Sequence, residues 1–215
     1  MKVIIAGSTG MVGGLILNQC LSSNQISEVV SLVRKPTNTS HQKLKEIVIA
    51  DFENYSGHLS NFENVTAAFF CIGVYTGQFP DDVFKKITVN YAVEFAKAVA
   101  QKSSNASFCL LSGQGADRTE KSKTSFAKYK GMAENSIAKL PLNFYTFRPG
   151  YIYPSEKRSE PNIVYRIMRF CYPLLKLFGN NMSVTSTELA SAMYNVGMRG
   201  ADKEILENKD ILKEI

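Results

Sequence analysis

The chain has 215 residues, 45% of them hydrophobic, and a formal net charge of +6. That supplies one sizeable core with little room for a second, and the basic residues are scattered among 19 acidic ones rather than gathered in the patch that a nucleic-acid partner requires. No stretch reaches the roughly 18 uncharged apolar residues of a membrane span, and Cys20, Cys71, Cys109 and Cys171 lack the paired spacing of a metal site or a secreted disulfide framework. At the N-terminus the run KVIIA gives way at once to glycine, short of a signal peptide's apolar core. A soluble, cytoplasmic protein is expected, with no membrane span and no nucleic-acid partner.

Strand-like and helix-like stretches then alternate. KVIIA (2–6) precedes the helical pattern MVGGLILNQCLSS (11–23), and EVVSLV (28–33) and EIVIA (46–50) follow. TAAFFCI (66–72) precedes DDVFKKITVNYAVEFAKAVAQK (81–102), ASFCLL (106–111) precedes TSFAKYKGMAENSIAKL (124–140), and NFYTF (143–147) closes the series. Several of the strands are apolar throughout, as strands covered on both faces are. The alternation predicts an α/β fold: a Rossmann-type, doubly wound parallel sheet. Past Pro149 the pattern offers helices without clear strands, so residues 151–200 are expected to add a small C-terminal helical lobe to a single domain spanning 1–215. Such a lobe would flank the carboxyl ends of the strands, where open α/β sheets bind ligands.

The most informative loop is AGSTGMVGG, with Gly7, Gly10 and Gly13 enclosing Ser8, Thr9, Met11 and Val12. Glycines between a strand and a helix permit a tight turn and let backbone N–H groups approach a pyrophosphate, which the helix N-terminus attracts further. The second strand then separates the two nicotinamide cofactors. Enzymes that prefer NAD place Asp or Glu about 20 residues beyond the glycines, on the ribose 2′-hydroxyl, whereas Arg suits a 2′-phosphate. This strand ends SLVRKP, with Arg34 and Lys35 in that place. NADP is favoured over NAD, the alternative being two solvated surface cations.

Together with GSTGMVG and LVRKP, the motifs ADF (50–52), FFCIG (69–73), Asn90, LLSGQGAD (110–117) and RPGYIYP (148–154) carry a resemblance across most of the chain. It is similar to the atypical short-chain dehydrogenases/reductases: small NAD(P)-binding proteins related to epimerase/dehydratase, NmrA-like and Tat-interacting-protein-like oxidoreductases. The resemblance implies that Asp51 and Phe52 lie near the adenine, with Asp51 accepting from its exocyclic amine. It puts Cys71, Ile72 and Gly73 along the ribose and pyrophosphate path, and Pro149 and Gly150 near the nicotinamide. Asn90 would bond backbone and help order the site, and relatives often pair their long helices into homodimers.

The same resemblance calls for Tyr-x-x-x-Lys on a helix, because residues four apart share a face and the lysine lowers the pKa of a phenol that shuttles the proton. In KTSFAKYKGMAENS (123–136) Lys130 matches the lysine, but the tyrosine position holds Phe126. Tyr129 is adjacent, yet neighbouring helical residues point about 100° apart, and its own partner position is Ala133. The helper hydroxyls at the end of the fifth strand are reduced to Ser112 followed by Gly113. Candidate catalytic residues are therefore Lys130, Ser112 and Tyr129, with Tyr75, Tyr151 and Tyr153 as replacement acids at strand ends. Arg118, in a polar loop able to close over a substrate, is a possible anion contact, and the basic apolar segment 163–178 a possible cap. Two functions stay open: an NADP-dependent oxidoreductase acting on a small carbonyl or hydroxyl substrate, and an NADP(H)-binding regulator with little or no turnover.

Overall fold

The computed structural model describes residues 1–155 and 182–215; Cys171 and the segment 163–178 lie outside them. The first half of the sheet consists of β1 (Lys2–Ala6), β2 (Glu28–Val33), β3 (Leu44–Val48) and β4 (Ala67–Phe70). β5 (Ser107–Leu111), β6 (Asn143–Arg148) and, after the two-stranded ribbon of β7 (Tyr151–Tyr153) and β8 (Ser183–Thr185), β9 (Ile205–Glu207) complete the elements. The order across the main sheet is β3-β2-β1-β4-β5-β6-β9, and every neighbouring pair is parallel. The chain reverses its direction of travel between β1 and β4, the switch point where such sheets open a crevice.

Central strands are buried end to end, as in Val3, Ile4, Ile5 and Ala6 of β1, because helices cover both faces. β3 lies at the edge and is partly exposed. On one face an aromatic core formed by Phe62, Phe70, Phe95 and Phe108 packs under α3 (Tyr91–Lys102) and α4 (Ser125–Ile137). On the other, Ile16 and Cys20 of α1 (Met11–Ser22) meet Leu189, Met193 and Val196 of α5 (Ser186–Arg199). Gly197 brings α5 close to the sheet, since a Cβ there would stand 2.4 Å from the Phe69 ring. α2 (Asp81–Lys85) runs into α3 through a π-helical turn, Lys86–Asn90.

The expectation of helices without strands past Pro149 is corrected. β7, β8 and β9 are each three residues long, too short to leave a period-two signal, and they are defined by pairing with distant chain. Thr185 ends β8 and starts α5 with a capping box, accepting from the Glu188 amide while Glu188 accepts from the Thr185 amide. α5 itself joins the helix layer beside α1, with Gln19 donating to Ser191 at 3.1 Å.

Candidate functional site

A cleft of about 550 Å³ opens at the carboxyl ends of β1, β4, β5 and β6. Its floor is the glycine loop. Gly7 has φ +93°, and a Cβ there would meet the Cys71 carbonyl carbon at 2.7 Å and the Ile72 nitrogen at 2.8 Å. A Cβ on Gly13 would stand 2.2 Å from the Gly7 carbonyl oxygen. The loop is thus wedged against the end of β4 and the start of α1, and no side chain caps the α1 amides. Gly10, Met11 and Val12 line the cleft there, and this glycine cradle at a helix N-terminus fits a pyrophosphate. The Ser8 hydroxyl turns inward to Ser31 of β2 at 2.6 Å, whereas Thr9 is exposed.

Arg34 and Lys35 stand exposed immediately beyond β2, with no carboxylate bonded to either among the described residues. The nearest acid of β3 is already engaged: Glu46 accepts from the Thr37 amide at 3.0 Å and from its hydroxyl at 2.5 Å. Asp51 is exposed and accepts from the Glu53 amide at 3.1 Å. The Phe52 side chain is buried in the core against Tyr55 and Tyr91, so only its backbone is left for the adenine contact expected of it. Asn90 is also corrected: it is exposed and donates to Glu53 at 2.7 Å, next to the Lys86–Glu53 ion pair at 2.6 Å. The π-helical turn puts it outside the helix face that packs inward.

At the catalytic end, α4 presents Phe126 and Lys130 to the cleft, as their four-residue spacing requires. Lys130 donates to the Leu111 carbonyl at 3.0 Å. Burial lowers its pKa to about 8, although Glu134 and Cys71 pull the other way. Cys71, Ile72 and Gly73 form the β4 wall; burial, reinforced by Cys20 and opposed by Lys130, pushes the Cys71 thiol up to about 12.

Beneath Ser112 lies a polar hub that sequence reasoning missed. Glu134 is fully buried and accepts from Ser112 at 2.6 Å, Thr146 at 3.1 Å, Arg118 at 2.8 Å and Arg148 at 2.6 and 3.0 Å. Desolvation works against its charge, but the bonds from Arg148, Ser112 and Arg118 outweigh it and keep the carboxyl below its ordinary value. The Ser112 proton is committed to this carboxylate, so its expected role as donor to a substrate oxygen is corrected. Arg118 likewise turns inward, extending to Glu204 at 2.6 Å, and its loop is pinned to α4: Asp117 donates to the Ala127 carbonyl at 2.9 Å. A Cβ on Gly131 would stand 1.8 Å from the Asp117 carbonyl oxygen, which is why the KGxxE segment carries glycine there.

Tyr129 is corrected as well. Its hydroxyl donates to Asp81 of α2 at 2.5 Å and its ring packs on Phe84, away from the cleft, and the Asp81 bond raises its pKa. Tyr75 and Tyr151 do line the cleft, together with Gln114, which sequence reasoning passed over; Tyr153 is not among the lining residues. Pro149 and Gly150 lie in the wall beside Gln114, whose amide donates to the Pro149 carbonyl at 2.9 Å. Asn208, buried on the short helix α6 (Asn208–Ile211), fixes that turn: it accepts from the Gly150 amide at 2.9 Å and donates to the Ser183 carbonyl at 2.8 Å. Among the described residues no cluster of His, Cys, Asp or Glu could hold a metal, and no helix is long and apolar enough to cross a membrane.

This sheet order and glycine cradle define a Rossmann-type fold with a cleft suited to a nicotinamide nucleotide. Residues 7–193 match the family described as NAD(P)H-binding, and the chain belongs to it. Its relatives include protein FMP52, mitochondrial, from Coccidioides immitis, 28% identical over 97% of this chain and 94% of that one. The protein of the same name from Lodderomyces elongisporus is 27% identical over 74% of this chain and 70% of that one. Among solved structures, Gre2 of Candida albicans in complex with NADPH superposes with a TM-score of 0.70 at 14% identity, covering 97% of this chain and 78% of that one. A putative NAD-dependent epimerase/dehydratase from Bacillus halodurans gives 0.67 at 16% identity, each chain covered completely. The relatives named as mitochondrial overturn the expected cytoplasmic location.

Proposed function

We propose that the protein is an NADP(H)-dependent oxidoreductase that moves hydride between the nicotinamide and a small carbonyl or hydroxyl substrate, and that it works in mitochondria, as the names of its relatives suggest. The observation that carries the cofactor preference is the pair Arg34 and Lys35, exposed beyond β2 with no carboxylate bonded to them. Two cations there favour a 2′-phosphate, whereas a free 2′-hydroxyl calls for a carboxylate in that place. In this reading the cradle of Gly7, Gly10 and Gly13 takes the pyrophosphate, and Asp51, Ile72 and Gly73 flank the adenosine. Lys130 holds the nicotinamide ribose, and Pro149 and Gly150 border the nicotinamide. The chain acts as one nucleotide-binding domain, and two copies pair as a homodimer.

With Phe126 in the tyrosine position and the Ser112 proton held by Glu134, the substrate oxygen is left to Tyr75, Tyr151 or the Gln114 carboxamide, all in the cleft wall. General acid catalysis supplies ~10²- to 10⁴-fold, so turnover is slow unless one of these groups takes that part. The same two residues support the second reading, a nucleotide-binding regulator with little or no turnover. Incubation with NADPH and a panel of aldehydes and ketones, followed at the nicotinamide absorbance, separates the two. Product formation supports the oxidoreductase, nucleotide binding without consumption supports the regulator, and failure to bind NADPH sinks both.

A further inference from the structure

Among the described residues lining the cleft, Lys130 alone carries a formal charge, and no described carboxylate is bonded to it. Its partner is the neutral Leu111 carbonyl. The carboxylate one turn along its own helix, Glu134, is taken up by Arg118, Arg148, Ser112 and Thr146. The other titratable groups of the cleft are Tyr75, Tyr151 and, at the end of β4, Cys71, whose thiol burial keeps protonated; α1 presents only Met11 and Val12 to the cleft. An ammonium desolvated in this way, whose nearest carboxylate is already bonded by two arginines, is held in the charged state weakly, and such lysines become nucleophilic amines. The cleft it lines also presents Val74, Leu111, Phe126 and Ile152, with Tyr75, Gln114 and Tyr151 among them, a lining that suits a small ligand with an apolar body and one polar oxygen.

We propose that Lys130 is a carbonyl-reactive amine that, when no nucleotide fills the cleft, captures small apolar aldehydes as a reversible imine. The neutral Nζ attacks the carbonyl carbon, and both amine hydrogens leave with the carbonyl oxygen as water. A C=N bond replaces C=O, and no oxidant or reductant is consumed. The pKa of about 8 supports this by leaving a substantial neutral fraction near pH 7.5, whereas an exposed lysine near 10.4 has almost none. Competition between aldehyde and nucleotide for the same amine rests on the cofactor reading above.

The test is reductive trapping. Nucleotide-free protein is incubated with benzaldehyde and sodium cyanoborohydride at pH 7.5, and benzylated lysines are located by peptide mass spectrometry. Lys130 is expected to be modified at least about tenfold faster than Lys128, exposed on the same helix, because an amine with a pKa near 8 has a large neutral fraction at pH 7.5. That ratio should fall as the pH is raised to 10, where the advantage of a lowered pKa is spent. Saturating NADPH should slow labelling of Lys130 and leave Lys128 unchanged. Labelling of Lys130 no faster than Lys128 in the nucleotide-free protein overturns the proposal. Fast labelling that NADPH does not slow keeps the amine site and removes Lys130 from the nucleotide's contacts instead.

Discussion

The ring tip of Phe126 points straight at Gly113: Cζ lies 2.5 Å from where a Cβ on Gly113 would stand, with the two Cε atoms at 3.4 and 3.5 Å. The two departures from the superfamily's catalytic pattern are therefore one steric unit. The ring fills the niche that a side chain at 113 would occupy, and a hydroxyl added at its tip would run into the Gly113 backbone.

Replacing Phe126 by tyrosine consequently does not rebuild the missing acid. Over-packing costs typically ~1–3 kcal/mol, and for this half-buried ring we expect about 1 kcal/mol of lost stability in urea unfolding, with no gain in NADPH-dependent carbonyl reduction. Gly113→Ser should meet the same obstacle from the other side. A rise in turnover in Phe126→Tyr would mean that the ring swings into the cleft.

Much of the fold was legible in residue patterns, because a doubly wound sheet leaves strong local signals. The continuous apolar runs became β1, β2, β4, β5 and β6 within a residue or two, and the tight turn between β1 and α1 leaves no room for a Cβ at Gly7 or Gly13. What stayed hidden depends on contacts far apart in sequence. Glu134 reads as an ordinary helix acid until Arg118, Thr146 and Arg148 arrive from other elements. Phe52 reads as a neighbour of Asp51, yet a one-residue step turns its ring into the core. Tyr129 and Gln114 differ only in which way they face. The cytoplasmic expectation failed for a different reason: the absence of a recognisable address carries no physical constraint on where a folded domain resides.

Glu134→Gln keeps the shape of the hub and removes its charge. Losing one partner of a buried ion pair costs ~3–5 kcal/mol; because each arginine keeps a second glutamate, Glu204 or Glu207, we expect about 3 kcal/mol. The folded-state pKa of Glu134 is depressed, so its stabilisation is fully present above the unfolded value, about 4.3, and is lost as the pH falls through the lower folded value. Urea unfolding at pH 7, 5 and 3.5 should show a constant difference between wild type and variant at the upper two values, shrinking at the lowest.

Lys130 has the opposite sign. With a folded pKa near 8 and an unfolded value near 10.4, the unfolded chain binds more protons between those values, so wild-type stability climbs with pH across that window. Lys130→Met, which removes the partly buried charge and keeps an unbranched side chain, should be about 1–3 kcal/mol more stable at pH 7 from that pKa difference. The gain should shrink as the pH rises past 8 and be nearly gone by about pH 11, above the unfolded value. Parallel denaturant melts at the two pH values measure it; a variant less stable at pH 7 would show that the ammonium is compensated by groups other than those named.

Gly13→Ala forces a Cβ to within 2.2 Å of the Gly7 carbonyl oxygen, and neither backbone segment yields without moving the cradle. A loss of about 1–3 kcal/mol in thermal or urea unfolding should accompany at least a tenfold weaker grip on NADPH. Gly57, whose added Cβ would touch nothing within 4 Å, is the matched control: Gly57→Ala should leave nucleotide affinity unchanged.

The central claim is that Arg34 selects NADP(H), and isothermal titration of wild type and Arg34→Ala with NADPH and NADH tests it most directly. A charge-assisted contact to the 2′-phosphate contributes ~1.5–3 kcal/mol. The account therefore predicts NADPH binding weakened by roughly ten- to a hundredfold in the variant, with NADH affinity unchanged and lower than that of NADPH in the wild type. Equal affinities for the two nucleotides in the wild type, or an NADPH affinity indifferent to Arg34, would contradict it.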